Sequence, residues 1–235
     1  LSHNEHKKII EISVKECNSK IPVIAGTGSN STEEAIELSR FAEKAGSDAL
    51  LIVTPYYNKP TQEGLYQHYK KINDNVGIPI VIYNIPSRSV IDMSVETMTK
   101  LYELKNIIGV KDATGNLKRV ELQKKSMGKE FIQLTGNDDN ALEFNKLGGV
   151  GAIGVTANIA AKLSSEFQKA CVEDKNKAAE LDKILQPLHS AMFIESNPSP
   201  VKYAASLLGM CDANVRLPLV EIQEATKKKI SDALK

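Results

Sequence analysis

The stretch STEEAIELSRFAEKAGSDALLIVT, Ser31 to Thr54, decides the fold class. Ser31 and Glu34 have the spacing of a capping box, so a helix is predicted from Thr32. Ala35, Leu38, Ala42 and Ala45 recur at three and four residues and share one apolar face, and Gly46 is suited to the left-handed position that stops the helix. Ala49 to Thr54 is then apolar without alternation. That marks a strand buried on both faces, hence a parallel sheet covered by helices.

Working outward, the same unit repeats. Five further β-branched apolar runs are predicted as strands, Val23 to Thr27, Pro79 to Asn84, Ile107 to Lys111, Phe131 to Thr135 and Gly151 to Thr156. With the run at Ala49 their starts lie about 20 to 30 residues apart, room for one helix and two loops in each repeat. Ser2 and Glu5 form a second capping box that starts a helix near His3, and Ser94 can cap a helix with Val95, Met98 and Leu101 as its buried stripe. After Thr156 the pattern is helical, broken by Pro187, by the turn Asn197-Pro198-Ser199-Pro200 and by Pro218. The expectation is an α/β chain, with a (β/α) barrel over residues 1–174 and a C-terminal helical region over 175–235. A closed barrel of this kind needs eight strands, whereas an open sheet can stop at six. Composition does not choose between them.

The 235 residues are 42% hydrophobic and 25% charged with a net charge of +1, which excludes disordered, collagen-like and disulfide-scaffold classes. Near-neutral charge without a basic stripe argues against a nucleic-acid partner, so a small ligand is expected. Cys17, Cys171 and Cys211 are far apart and form no Cys-x-x-Cys pair, so they are predicted to be packed thiols of a reducing compartment. No apolar run approaches the roughly 18 residues that span a bilayer. A cytoplasmic protein is expected. His3 and His6 share a helix face, but nothing completes a metal set. GTGSNST lacks the Gly-Lys-Ser/Thr of a phosphate loop. No cofactor is expected. Asp138 and Asp139 are predicted to cap the helix that follows them.

The sharpest local feature is IIGVKDATGN, Ile107 to Asn116, where Lys111 ends an apolar strand. An ordinary lysine is only about one part in 10³ neutral at pH 7, and a site that favours the neutral amine makes a Schiff-base nucleophile. A strand-end lysine that snorkels to solvent or pairs with a carboxylate is the competing reading. Alternation puts Gly109 on the same face as Lys111, leaving space beside the amine, and turns Asp112 away. In IVIYNIPSR, Tyr83 lies at a level similar to Lys111 on a neighbouring strand about 4.8 Å away, where a phenol can shuttle a proton. Arg88 offers a planar fork for a carboxylate. A satisfied core tyrosine and a surface ion pair are the alternatives. In TPYYN, Tyr56 and Tyr57 point in different directions, so at most one faces the centre and the other suits a subunit contact.

Taken together, TPYYN, YNIPSR, IGVKDATGN, TGNDD, NPSPVKYA and RLPL, in this order and over the whole chain, closely resemble the dihydrodipicolinate synthase family. The resemblance implies a TIM (β/α)8 barrel and a class I, lysine-dependent lyase that condenses pyruvate with L-aspartate 4-semialdehyde on the way to diaminopimelate and lysine. By position it implies that Lys111 forms the pyruvate Schiff base, Tyr83 shuttles protons, and Tyr57 reaches across a tight-dimer interface. Arg88 would hold the semialdehyde carboxylate, and the backbone of Gly136 and Ile153 would line the pyruvate pocket. Lysine-sensitive members bind L-lysine at a dimer cleft, at positions corresponding to His3, His6, Asn30, Glu34 and Tyr56. The family assembly is a homotetramer of tight dimers. Family members start about 50 residues earlier, with two strands and a Gly-Thr-Thr-Gly-Glu turn, so six of eight strands and poor activity or none are expected for this chain. The rivals are an N-acetylneuraminate-lyase-like aldolase, against which Arg88 argues, a non-catalytic truncated chain, and a phosphate-binding barrel enzyme.

Overall fold

In the computed structural model, which describes residues 1–235, Ser2 and Glu5 close the predicted capping box. Ser2 Oγ accepts from the Glu5 amide at 3.2 Å and the Glu5 carboxylate from the Ser2 amide at 2.8 Å, starting α1 (His3–Cys17). The second box differs from expectation. Ser31 Oγ accepts from the Glu34 amide, but the Glu34 carboxylate takes the Ser29 hydroxyl, whose oxygen accepts from the Ser31 amide. Helix α2 (Thr32–Ala45) starts and stops as predicted, with Gly46 at φ +96°.

The chain divides into two units, Leu1–Gly136 with Leu147–Val150, and Asn137–Lys146 with Gly151–Lys235. The second unit therefore begins well before residue 175, where a boundary was expected. In the first unit, β1 (Ile24–Gly26), β2 (Ala49–Val53), β3 (Ile80–Asn84), β4 (Ile107–Asp112) and β5 (Ile132–Thr135) pair in parallel in chain order. Between them run α2, α3 (Gln62–Asn73), the single turn α4 (Pro86–Ser89), α5 (Val95–Tyr102) and α6 (Lys118–Met127). Leu50, Ile52, Ile80, Ile82 and Val110 are buried together with Ala35, Ala42, Leu65, Tyr69, Ile72, Met98 and Leu101 of the helices. Burying each of the larger side chains contributes roughly 1.5–3 kcal/mol. The opposite face of β2 to β4 presents Leu51, Val53, Tyr83 and Lys111, which are only partly buried.

The second unit holds α7 (Ala141–Lys146), β6 (Gly151–Ala152), α8 (Ala161–Glu173), α9 (Lys175–Ala191), α10 (Ser199–Leu207) and α11 (Glu224–Ala233). Their core includes Phe167, Ala178, Leu181, Leu185, Met192, Val201, Ala204 and Ile230. The sixth strand is two residues long because Asp138 Oδ2 accepts the amides of Val155 at 2.6 Å and Thr156 at 3.1 Å, turning the chain into the 3₁₀ segment Thr156–Asn158. Asp138 thus caps this later turn and not the helix directly after it. Pro187 lies inside α9 without ending it. It sits in the last turns, where Leu185, Leu188 and Met192 pack on the core and offset the lost amide bond. Cys17 and Cys171 are half-buried, but Cys211 is exposed, contrary to the expectation of three packed thiols. No helix is long and apolar enough to cross a membrane.

Candidate active site

Parallel pairing sets Val53 beside Tyr83, Tyr83 beside Lys111 and Lys111 beside Leu134, one lateral row at the C-terminal level of the sheet. Within that row the Lys111 Nζ lies 4.0 Å from the centroid of the Tyr83 ring. An aromatic face attracts an ammonium, and it attracts a protonated imine in the same way. Burial pushes the Tyr83 phenol up, partly opposed by the Arg88 charge. The hydroxyl therefore stays protonated at neutral pH and is a donor. Tyr83 also lines a cavity of about 370 Å³ with Gly26, Val53, Tyr56, Ile85, Arg88 and Ser89.

Two glycines shape this end of the sheet. A Cβ on Gly109 would overlap the carbonyl oxygen and Cβ of Ile132 on β5. Gly109 therefore serves close approach of the strands, where space beside the amine was expected. The residue that leaves room for the amine is Gly136, whose Cβ would stand 3.0 Å from Lys111 Cε and 2.7 Å from the Ala113 Cβ. Ile153 lies in the second unit, one residue past β6.

Arg88 rides on α4, which starts at Pro86 with its fixed φ and ends in Val90 at φ +68°. Ser89 Oγ lies within hydrogen-bond distance of the carbonyls of Ile85 and Ile91. The two tyrosines separate as alternation predicts, with Tyr56 on the cavity wall and Tyr57 87% exposed at φ +72°. The five residues singled out for lysine binding are each engaged. His3 Nε2 pairs with Glu34 Oε1 at 2.8 Å, His6 Nε2 lies 2.8 Å from the Gly26 carbonyl, and Asn30 Nδ2 donates to the Tyr56 carbonyl at 3.2 Å. Ser29, which also binds Glu34, was not foreseen.

A buried polar network behind the row was also missed. Asp112 Oδ2 accepts from Arg119 Nε at 2.9 Å and Gln123 Nε2 at 3.1 Å, and its Oδ1 from the Thr114 amide at 2.9 Å and hydroxyl at 2.6 Å. Arg119 and Gln123, four apart on one helix face, were the signal, since that spacing puts both on the side that packs inward.

The sequence model of the Dihydrodipicolinate synthetase family matches residues 1–235. The chain belongs to this family. It is 71% identical to the 4-hydroxy-tetrahydrodipicolinate synthase of Pelagibacter ubique (strain HTCC1062), covering 100% of this chain and 81% of that protein. Among solved structures, the dihydrodipicolinate synthase from Acinetobacter baumannii complexed with pyruvate is 45% identical to this chain, at a TM-score of 0.97 over 100% of this chain and 81% of that one. The enzyme from Cyanidioschyzon merolae with lysine bound is 34% identical, at a TM-score of 0.95 over 100% and 80%. The fold is thus the α/β, barrel-type fold of the dihydrodipicolinate synthetase family, with six strands and a helical C-terminal part. The chain spans about four fifths of the length of these relatives, and the comparisons do not place the uncovered fifth at the N-terminus.

Proposed function

We propose that this chain is a Schiff-base lyase that condenses pyruvate with L-aspartate 4-semialdehyde, as a 4-hydroxy-tetrahydrodipicolinate synthase does. The observation that carries it is the Lys111 amine held against the Tyr83 ring, with Tyr83 and Arg88 on one cavity wall. In this reading the Lys111 amine attacks the keto carbon of pyruvate, Tyr83 passes a proton to the departing oxygen, and water leaves. A methyl proton is then lost, and the resulting enamine carbon attacks the aldehyde. The amine of the semialdehyde closes on the imine carbon and releases Lys111. Arg88 binds the semialdehyde carboxylate through its planar fork, and the backbone at Gly136 borders the pyruvate.

Tyr57 completes the site of a second copy. Its exposure and its left-handed backbone, uncommon outside glycine, support a role at an interface, and a homotetramer of tight dimers is the assembly we assign. His3, His6, Asn30, Glu34 and Tyr56 form the L-lysine site. Their carboxylate, imidazoles and amide suit an amino acid's two charges, and the lysine-bound relative supports the assignment.

Borohydride reduction with pyruvate tests the reading. A stable pyruvate adduct on Lys111, absent in Lys111→Arg, is expected, whereas an untagged wild-type chain overturns it. Turnover of N-acetylneuraminate in place of the semialdehyde would favour the aldolase alternative, against which Arg88 stands.

A further inference from the structure

We infer that Arg119, outside the cavity, is a positioning residue that locks the segment carrying Arg88 to the strand carrying Lys111. The inference rests on the roles proposed above for those two residues. Segment 85–92 leaves β3 at Asn84 and returns at Met93, and the Asn84 side chain spans its neck. Asn84 Nδ2 donates to Asp92 Oδ1 at 2.7 Å, and its Oδ1 accepts from the Met93 amide at 3.1 Å. Arg119 grips the same neck, with Nη2 donating to the Met93 carbonyl at 2.8 Å and Nη1 standing 3.5 Å from Asp92 Oδ1. Its third direction, Nε, goes to Asp112, the residue next to Lys111.

One planar group therefore fixes both the neck and the strand end, and both Arg119 and Asp112 are buried, 8% and 5% exposed. A buried ion pair seldom adds stability over apolar residues of the same volume. What it does supply is direction, because the guanidinium donates along several fixed lines and an ammonium cannot match that geometry. The spacing between the amine that holds one substrate and the guanidinium that holds the other is thereby set from behind.

Arg119→Lys keeps the charge and loses the fork. Asp92→Ala removes, at a half-exposed carboxylate, the acceptor that Arg119 Nη1 and Asn84 Nδ2 share at the neck and leaves the Arg119–Asp112 pair in place. The readouts are amide hydrogen exchange and the KM for each substrate. In both variants we expect about tenfold faster exchange in 85–92, where the amides of Arg88, Ser89 and Val90 bond to Ile85 and Pro86, with exchange in 32–45 unchanged. The KM for the semialdehyde should rise about tenfold while that for pyruvate stays within twofold. Exchange in 85–92 that matches wild type overturns the inference. So does a rise in exchange with an unchanged ratio of the two KM values, since that leaves Arg119 merely structural. A wild-type chain that traps no pyruvate refutes the lyase reading instead, and the exchange result alone then decides whether Arg119 ties the segment.

Discussion

Replacing His68 by Asn should flatten the acid side of the stability curve. His68 sits on α3 at 5% exposure, its Nδ1 2.9 Å from the Thr32 hydroxyl at the start of α2, and its Nε2 has no partner. Burial pushes the imidazole from about 6.5 down to about 4, and the positive end of the α2 dipole opposes its charging as well. The unfolded chain thus takes up the proton first. Stability is whole above pH 6.5, falls as the pH drops toward 4, and levels off below. The gap amounts to about 3 kcal/mol, of which about 2 kcal/mol is gone by pH 5. His189 is lowered too, mainly by burial, so the test is the difference between wild type and His68→Asn. Urea unfolding at pH 7, 6 and 5 should show the variant losing about 2 kcal/mol less than wild type over that range. Parallel losses would refute the assignment of the buried neutral imidazole as an acid trigger.

Three further changes probe other parts of the molecule. Gly136→Ala puts a methyl 3.0 Å from Lys111 Cε and should slow trapping of pyruvate by borohydride about tenfold or more, with circular dichroism unchanged; wild-type trapping would show that the close approach is irrelevant. Val90→Gly relieves a β-branched residue at φ +68° that is 64% exposed, and should raise the unfolding free energy by about 1 kcal/mol, read by denaturant titration. Asp138→Asn weakens the acceptor for two backbone amides and should destabilise the second unit by about 2 kcal/mol, read by thermal unfolding.

What was legible in the sequence was local. The first five strand runs, the caps at Ser2 and Ser94 and the stop at Gly46 depend on neighbours within a turn, and they stand within a residue or two of expectation. The row of Tyr83 and Lys111 was legible too, because strand alternation and equal run lengths place them at one level. The misses came from partners far along the chain. Glu34 was expected to return to Ser31 and goes to Ser29 instead. The sixth strand ends early because a carboxylate 17 residues upstream of Val155 claims its amide. Gly109 was expected to leave space beside the amine but serves strand contact, and Gly136 leaves that space instead, since which glycine faces a backbone and which faces the lysine depends on the neighbouring strand. Arg119 could not be paired from sequence, as its partners come from the end of β4 and from the loop at Asp92 and Met93.

Lys111 and Asp112 are adjacent and point to opposite faces, one toward the Tyr83 ring, the other toward Arg119. A one-residue slip of β4 would exchange them. The lysine would enter the helix-covered layer opposite the Arg119 guanidinium, cation against cation, and the carboxylate would meet the negative face of an aromatic ring. Each error aggravates the other. The Lys-Asp pair therefore acts as a register key: a chain that misaligns this strand is penalised by charge on both of its faces, so molecules that reach the stable fold have Lys111 on the side of the Tyr83 ring.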